Sequence, residues 1–561
     1  MNNQSDFRVF FSKALEIAPR VLGHQDSNIL SPSYGIFERK YWGWKASPLA
    51  DASNQYAVYY LGLLWSCEEE SNPYYHNDNI LELICAGILS WCNLQKRNGS
   101  FDQIFYNEHS VGATAYTLLA IVELRKIIGD RLEKGIKLKM DQAIERASRF
   151  LLSNDETYAV ISNHSALFAY NFHEIWTFAK DDRFKAKCAQ QIDLILKNSS
   201  QEGWFREYQG ADPGYMSQAM YYLVKLKGAG YKVLEKPIDL AIKQYLPYFI
   251  HPDGSMGGCY GSRNTTIFYP AGIALLCSQY PQALKILKCM SYGIANGNSV
   301  SPVSLDLPNA FRLAVNYFLA YNFIKKEQDS FKSQKDYCLP WEQDKLYKKF
   351  PEAGQVAVST PDYYAVSGVK KGGVLRVFDK KNRCFVCEDN GYFAKLGNKY
   401  AATQVFNDSD VEYLDKGFKL NQPFFIVNLK KMSSLKYLLI LIFGMTLFHI
   451  KFFREKFKKI MVRYLITGSQ KTTAFCQRRI IFDDSQIKVV DRIVPPQGEA
   501  LRGLRGKVTY STIHMASANY FDFSCLKKRE SVMRDLIDQE ISLDYVLSFP
   551  SSRDAKIKIL Q

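Results

Sequence analysis

The hydrophobic period of the chain changes once. Up to about residue 330, apolar residues recur at helical spacing, as in 81–92 (LELICAGILSWC), 116–128, 190–196 and 238–249. That is the pattern of helices that lay one face on a core. From residue 355 the period drops to two. Short β-branched and aromatic runs at 355–360, 364–369, 373–379, 384–388 and 392–396 return at 478–482, 487–493 and 508–513, divided by Gly, Lys and Asn. These predict antiparallel strands. Between the two halves, 309–324 (NAFRLAVNYFLAYNFI) either closes a sixth helical hairpin or serves as a connector, and 325–345 is charged and weakly patterned.

The helical half repeats. Loops at 35–54, 98–109 (NGSFDQIFYNEH), 154–164 (NDETYAVISNH), 202–215 (EGWFREYQGADPGY) and 252–264 (PDGSMGGCYGSRN) each precede an apolar run. The later copies recur at roughly 50–55 residues, the length of a helical hairpin with a decorated loop. Gly-Ser-Phe, Gly-Trp-Phe and Gly-Ser-Met mark the same point in three of them. The expected architecture is α then β: an α/α toroid of about five to six helical hairpins over 1–330, a linker at 331–354, and an antiparallel β-sandwich over 355–561.

One stretch fits neither pattern. Residues 435–450 (LKYLLILIFGMTLFHI) are nearly all apolar, and Lys451, Arg454, Lys456, Lys458, Lys459 and Arg463 follow, interleaved with Phe452, Phe453 and Phe457. The uncharged run from Tyr437 to Ile450 is short of the ~20 residues a membrane span needs. A buried core helix is one reading. The preferred one is a monotopic insert, 435–463, lying on an anionic membrane surface. With no secretory signal in MNNQSDFRVFFSKALEIAPR, the expected place is the cytoplasmic, inner face of the membrane.

Composition narrows the partners. A net charge of +16 over 561 residues suits a polyanion, and no nucleic-acid-binding module accompanies it. No P-loop, dinucleotide fingerprint or nucleophile elbow is present. Cysteines such as Cys85, Cys92 and Cys277 lie in apolar runs, as buried thiols do in a reducing compartment. Cys384 and Cys387 form a lone C-x-x-C, so no metal and no cofactor is expected.

If the hairpins are equivalent, the residues just before each second helix share one end of the ring. They are Asp51 and Gln55, then Asn107, Glu108 and His109, then Asn163 and His164, then Asp212 and Tyr215, then Arg263 and Asn264. Asp and Asn there read equally as helix caps. The adjoining loops add Trp44, Lys45, Trp204, Arg206, Glu207 and Tyr208 as candidate substrate contacts. Asn, His, Tyr and Arg around one cleft suit removal of a proton next to a carboxylate: donors stabilise charge moving onto the carboxylate, and a Tyr or His, its pKa lowered by a cation such as Arg206 or Arg263, takes the proton.

The toroid-then-sandwich order, Asn163 and His164 in ISNHSALFAY, and the loop EYQGADPGY resemble the heparinase II/III-like and related uronate polysaccharide lyases. The resemblance implies that Asn163 or His164 neutralises the C5 carboxylate and that Tyr208 or Tyr215 is base or acid. Those lyases also draw a His from the sandwich, here His514 in STIHMASANYF. The implied reaction is β-elimination or C5 epimerisation of a uronate in an acidic polysaccharide. The missing signal and the apolar–basic insert depart from the family and favour biosynthesis, with a lipid-linked or nascent glycan as partner. Two alternatives stay open: a glycoside hydrolase using Glu108, Glu207, Asp212 and Asp253, and a non-catalytic glycan-binding protein at the membrane.

Overall fold

The computed structural model describes residues 7–156, 159–408, 410–429, 432–462, 469–506, 533–549 and 556–560. Six helices line an inner ring: Ala57–Ser66, Val111–Ile128, Ser162–Ala179, Pro213–Gly228, Ala271–Ala274 and Leu307–Glu327. Each packs on the next, and Leu307–Glu327 closes back on Ala57–Ser66. The stretch that sequence left between hairpin and connector is therefore the closing member. Outer helices Asp78–Leu94, Lys134–Leu152, Asp182–Lys197 and Pro281–Ala295 return the chain between inner ones, as does the irregular helix over 235–249. The N-terminal Arg8–Leu15 is the outer partner of Leu307–Glu327.

The two rings differ because their surroundings differ. Ala57–Ser66 is buried at every residue but the last, so it is apolar all round. Lys134–Leu152 buries only one stripe, Met140, Ala143, Ile144, Ala147, Phe150 and Leu151, and is amphipathic. Because each outer helix reverses the chain, all six inner helices start at the same end, where the decorated loops lie.

The repeated Gly triplets have one physical cause. Gly35, Gly99, Gly203 and Gly254 all adopt positive φ, between 82° and 95°. At each, a Cβ would stand 2.1–2.5 Å from the backbone oxygen of an outer helix: Ala86, Arg146, Leu240 and Cys289 respectively. Only glycine allows both the left-handed turn and that approach. Phe101, Phe205 and Met256, two residues later, are buried and each makes a single β-bridge within its loop.

The β half holds two antiparallel sheets. Leu346–Phe350, Gln355–Ser359, Tyr363–Gly368, Val374–Asp379 and Cys384–Asp389 form a five-stranded meander. Its first strand starts inside the segment read as linker. The second sheet has ten strands among the described residues, centred on Gly417–Val427, Gln470–Phe482, Gln486–Val494 and Ile541–Ser548. Val356, Val358, Ala365 and Val377 of the first sheet pack on Phe418, Ile480, Val489 and Leu547 of the second, which makes the sandwich. The other face of the first sheet, with Ala357, Tyr364, Val366 and Phe378, joins the toroid core. This explains strands buried at every position: a sheet covered on both faces has no polar side. Between the sheets Arg478 donates to both oxygens of Asp491 (2.8 and 2.6 Å) and pairs with Asp389 at 3.1 Å. The expected strand at 508–513 lies outside the described residues.

The apolar–basic stretch is a helical hairpin, Ser434–Met445 and Lys451–Val462, inserted between two strands of the large sheet. The core-helix reading fails for it, because Leu435, Leu438, Ile442, Met445 and Phe452 are 42–67% exposed. It seats instead across the loop end of the toroid. Phe448 and Phe457 pack tilted and edge-on around Phe105, and Asn107 Nδ2 donates to the Gly444 carbonyl at 2.8 Å.

Candidate active site

Three successive loops are laced together at the loop end. Residues 206–211 form a small hairpin in which Arg206 pairs with Ala211 and Glu207 with Gly210. Ser162 Oγ, at the start of one inner helix, donates to the Arg206 carbonyl at 2.6 Å. Ser262, one loop on, donates Oγ to the Glu207 carbonyl (2.9 Å) and N–H to the Ala211 carbonyl (2.9 Å). Asp212 fixes the geometry. It caps Pro213–Gly228 through the Tyr215 N–H (3.1 Å) and receives the Arg263 N–H (2.9 Å) on its other oxygen. Asp212 is thus occupied by backbone amides, as an N-cap residue should be.

This lacing brings Asn163, His164, Glu207, Tyr208, Tyr215 and Arg263 together. Asn163 and His164 sit in the first turn of Ser162–Ala179 rather than at the end of a loop. Asn163 Nδ2 donates to Glu207 Oε1 at 3.0 Å. His164 Nδ1 lies 2.8 Å from Glu156 Oε2, and its ring meets Tyr116 edge-on with centroids 5.6 Å apart. The Arg263 guanidinium stacks 4.1 Å from the Tyr208 ring centre and stands 5.5 Å from that of Tyr215. Tyr208 holds φ at +58°, an uncommon conformation for a non-glycine residue, and its N–H donates to the Val160 carbonyl.

Burial sets the electrostatics. It lifts the Glu207 carboxyl to about 7, against the opposing pull of Arg263 and His164. It works to lower His164, but Glu156 outweighs it and the imidazole is raised above its ordinary value. Burial also raises both Tyr208 and Tyr215, with Arg263 acting the other way. The tyrosine pKa values therefore run opposite to the lowering expected from a neighbouring cation, because desolvation exceeds the charge effect.

The other expected residues lie elsewhere. Asn107 and His109 turn toward the inserted hairpin and their own loop: Asn107 Nδ2 also reaches His449 Nε2 at 3.2 Å, and His109 Nδ1 is 2.6 Å from Ser100 Oγ. Burial and Arg454 depress His109 to about 4. Glu108 accepts the Gln103 and Ile104 amides (3.0 and 2.6 Å). Trp204 donates to Glu202 at 2.9 Å, beside the Glu202 contacts to the backbone of Glu352 and Ala353. Arg206 is exposed and donates to the Tyr208 carbonyl. Asn264 accepts from Lys371. Trp44 lines a cleft of about 660 Å³ together with Glu38, Asp51, Tyr106, Tyr437 and Leu441, and neighbouring Lys45 is exposed. His514 lies outside the described residues.

Four residues join the site that sequence reasoning missed. Glu156 lies in the loop just before the helix that carries His164, and a carboxylate eight residues before a histidine carries no signal by itself. Arg312, a cation in the first two turns of an otherwise largely apolar helix, stands 5.3 Å over the Tyr116 ring. Tyr116 lies between them. Lys371 comes from the β half: its buried ammonium donates to the Gly261 carbonyl at 2.6 Å, and burial lowers it to about 8. The site so assembled can hold an anion against Arg263 and a protonated His164, and can move a proton through Glu207, Tyr208 or Tyr215.

No family model matches the chain, and no curated protein matches it by sequence. Solved structures do. A xanthan lyase from Paenibacillus superposes with a TM-score of 0.54 at 11% identity, covering 98% of this chain and 58% of its own. The Streptomyces coelicolor A3 chondroitin AC lyase, solved with chondroitin sulphate, superposes with a TM-score of 0.53 at 11% identity, covering 88% of this chain and 67% of its own. A heparan sulfate lyase from Pedobacter heparinus overlaps more loosely, at a TM-score of 0.41 and 11% identity, covering 88% of this chain and 70% of its own. This chain therefore spans 58% of the xanthan lyase's length. Its architecture, a helical toroid followed by antiparallel β-sheets, is the fold of the xanthan lyase and the chondroitin AC lyase.

Proposed function

We propose that the chain acts on an acidic, uronate-containing polysaccharide by removing the proton at C5. The observation that carries this reading is the Arg263 guanidinium stacked on Tyr208 and close to Tyr215, beside the His164–Glu156 pair. Arg263 and protonated His164 neutralise the substrate carboxylate, so that the electron pair left when the C5–H bond breaks is stabilised as an enolate. Glu207, ionising at about 7, suits the acceptor of that proton near neutral pH. Tyr208 and Tyr215, both raised, stay neutral and suit a donor. Donation to the departing 4-oxygen, with formation of a C4–C5 double bond, completes elimination. Return of a proton to C5 from the opposite face completes epimerisation.

The hydrolytic alternative finds less support, since Glu108 and Asp253 hold backbone amides of their own loops and Asp212 holds those of Tyr215 and Arg263. The experiment offers hexuronans and glycosaminoglycans in deuterated water. An unsaturated product absorbing in the ultraviolet marks elimination, and deuterium at C5 marks epimerisation. His164→Ala and Tyr215→Phe should each cost about 10²–10³ in turnover. Neither signal over that substrate set would refute proton abstraction.

A further inference from the structure

We infer that the inserted hairpin seats the molecule on an anionic lipid bilayer, apolar side chains below the headgroups and lysines among the phosphates. Among the described residues, the exposed large apolar side chains concentrate here. Leu435, Leu438, Met445, Ile450, Phe452 and Ile460 are each 50% exposed or more. Two neighbouring loops extend the patch. Trp44 and Ile104, 72% and 75% exposed, line the cleft that Tyr437 and Leu441 also line, and a tryptophan there suits the headgroup level.

Charge names the occupant. The hairpin carries Lys436, Lys451, Arg454, Lys456, Lys458 and Lys459 against the single acid Glu455. Two copies face to face would set these cations against each other, whereas an anionic bilayer satisfies the lysines and the apolar row together. Ser434–Met445 is about 18 Å long by helical rise, well short of the ~30 Å hydrocarbon core. Among the described residues no helix is long and apolar enough to cross a membrane, so the hairpin lies on the bilayer.

The seat is firm and shares a wall with the cleft. Arg454, 6% exposed, donates to the Phe448 carbonyl at 2.8 Å. Phe448 is 3% exposed and packs at a tilt against Phe105 and Phe457. Lys451 reaches Asn154 in the loop that carries Glu156. A bilayer under the hairpin therefore lies beside the cleft that Trp44, Tyr437 and Leu441 line.

The test needs no enzymatic activity. The full chain is sedimented with phosphatidylcholine vesicles, with and without phosphatidylserine. We expect co-sedimentation that depends on phosphatidylserine and weakens with salt. Joint Lys451→Glu, Lys456→Glu and Lys459→Glu replacement should reduce partitioning on the order of 100-fold. Leu438→Asp with Ile442→Asp should abolish it while leaving the circular-dichroism melt unchanged. Phe453→Trp in an otherwise unaltered chain supplies a readout immune to misfolding: the fluorescence it adds to the parent's should be quenched by brominated acyl chains. Absence of sedimentation on phosphatidylserine vesicles would overturn the proposal, as would added fluorescence that the brominated lipid leaves unquenched. So would a light-scattering dimer that persists with lipid and is broken by Leu438→Asp, since that makes a second copy the occupant.

Discussion

Replacing Glu207 with Gln separates the charge of the site from its shape. Glu207 is 3% exposed, so solvent screening takes little from its electrostatics. A carboxyl whose ionisation moves from 4.5 to about 7 costs about 3 kcal/mol to hold charged in the folded protein. The sign follows from proton binding. Between pH 4.5 and 7 the folded chain keeps a proton that the unfolded chain has lost. The contribution of Glu207 is therefore fully present below 4.5 and drains away as pH rises through 7. Gln keeps an oxygen for the Asn163 Nδ2 contact and cannot ionise. Any loss from a poorer hydrogen bond, about 1 kcal/mol, is the same at every pH. Urea unfolding of both proteins across that range should show Glu207→Gln gaining about 3 kcal/mol on the parent as pH rises. A difference that stays constant with pH would show that Glu207 does not ionise near neutrality, and would remove it as the proton acceptor.

Further predictions concern the frame. Gly203→Ala places a Cβ 2.5 Å from the Leu240 oxygen at φ +95°, and should destabilise by about 2–4 kcal/mol in chemical unfolding. Gly135→Ala, with nothing within 4 Å of the new carbon in the helix Lys134–Leu152, should instead stabilise by about 0.5 kcal/mol. Arg478→Met strands Asp389 and Asp491 between the sheets and should cost about 3–5 kcal/mol, read as a lowered urea midpoint. Lys371→Met releases the loop that carries Arg263, and turnover should fall by about 10- to 100-fold in steady-state kinetics. An unchanged kcat would mean the loop holds Arg263 without help from the β half.

Sequence carried the periodicities and lost the partners. The switch from helical to alternating spacing located both halves, because inner helices and doubly covered strands announce themselves by composition. The Gly triplets were legible as a repeat because one steric demand, a left-handed turn against a helix backbone, recurs. Leu346–Phe350 (LYKKF) escaped because it is lysine-rich and half-exposed. Gly417–Val427 escaped because Pro423 and its polar residues mask a strand paired on both sides. In the site, His164 and Tyr215 stood out as poor caps at helix starts. Lys371 did not, since its partners Gly261 and Asn264 lie more than a hundred residues away. Glu108 misled for the converse reason: a carboxylate closing its own loop looks, in sequence, like one facing a substrate.

The closed ring has a consequence for how the chain is made. Arg8–Leu15 packs on Leu307–Glu327, so a helix made ahead of the rest of the toroid waits for its last member. Hairpins such as Ser162–Ala179 with Asp182–Lys197 can form as they emerge, whereas this contact joins segments some three hundred residues apart and must await most of the toroid. Until then Phe10, Phe11 and Ala14, all buried in the finished protein, have no surface to cover them. The seam between Arg8–Leu15 and Leu307–Glu327 is thus a point where synthesis leaves the molecule exposed to aggregation, and where loss of Arg8–Leu15 would uncover the outer side of Leu307–Glu327.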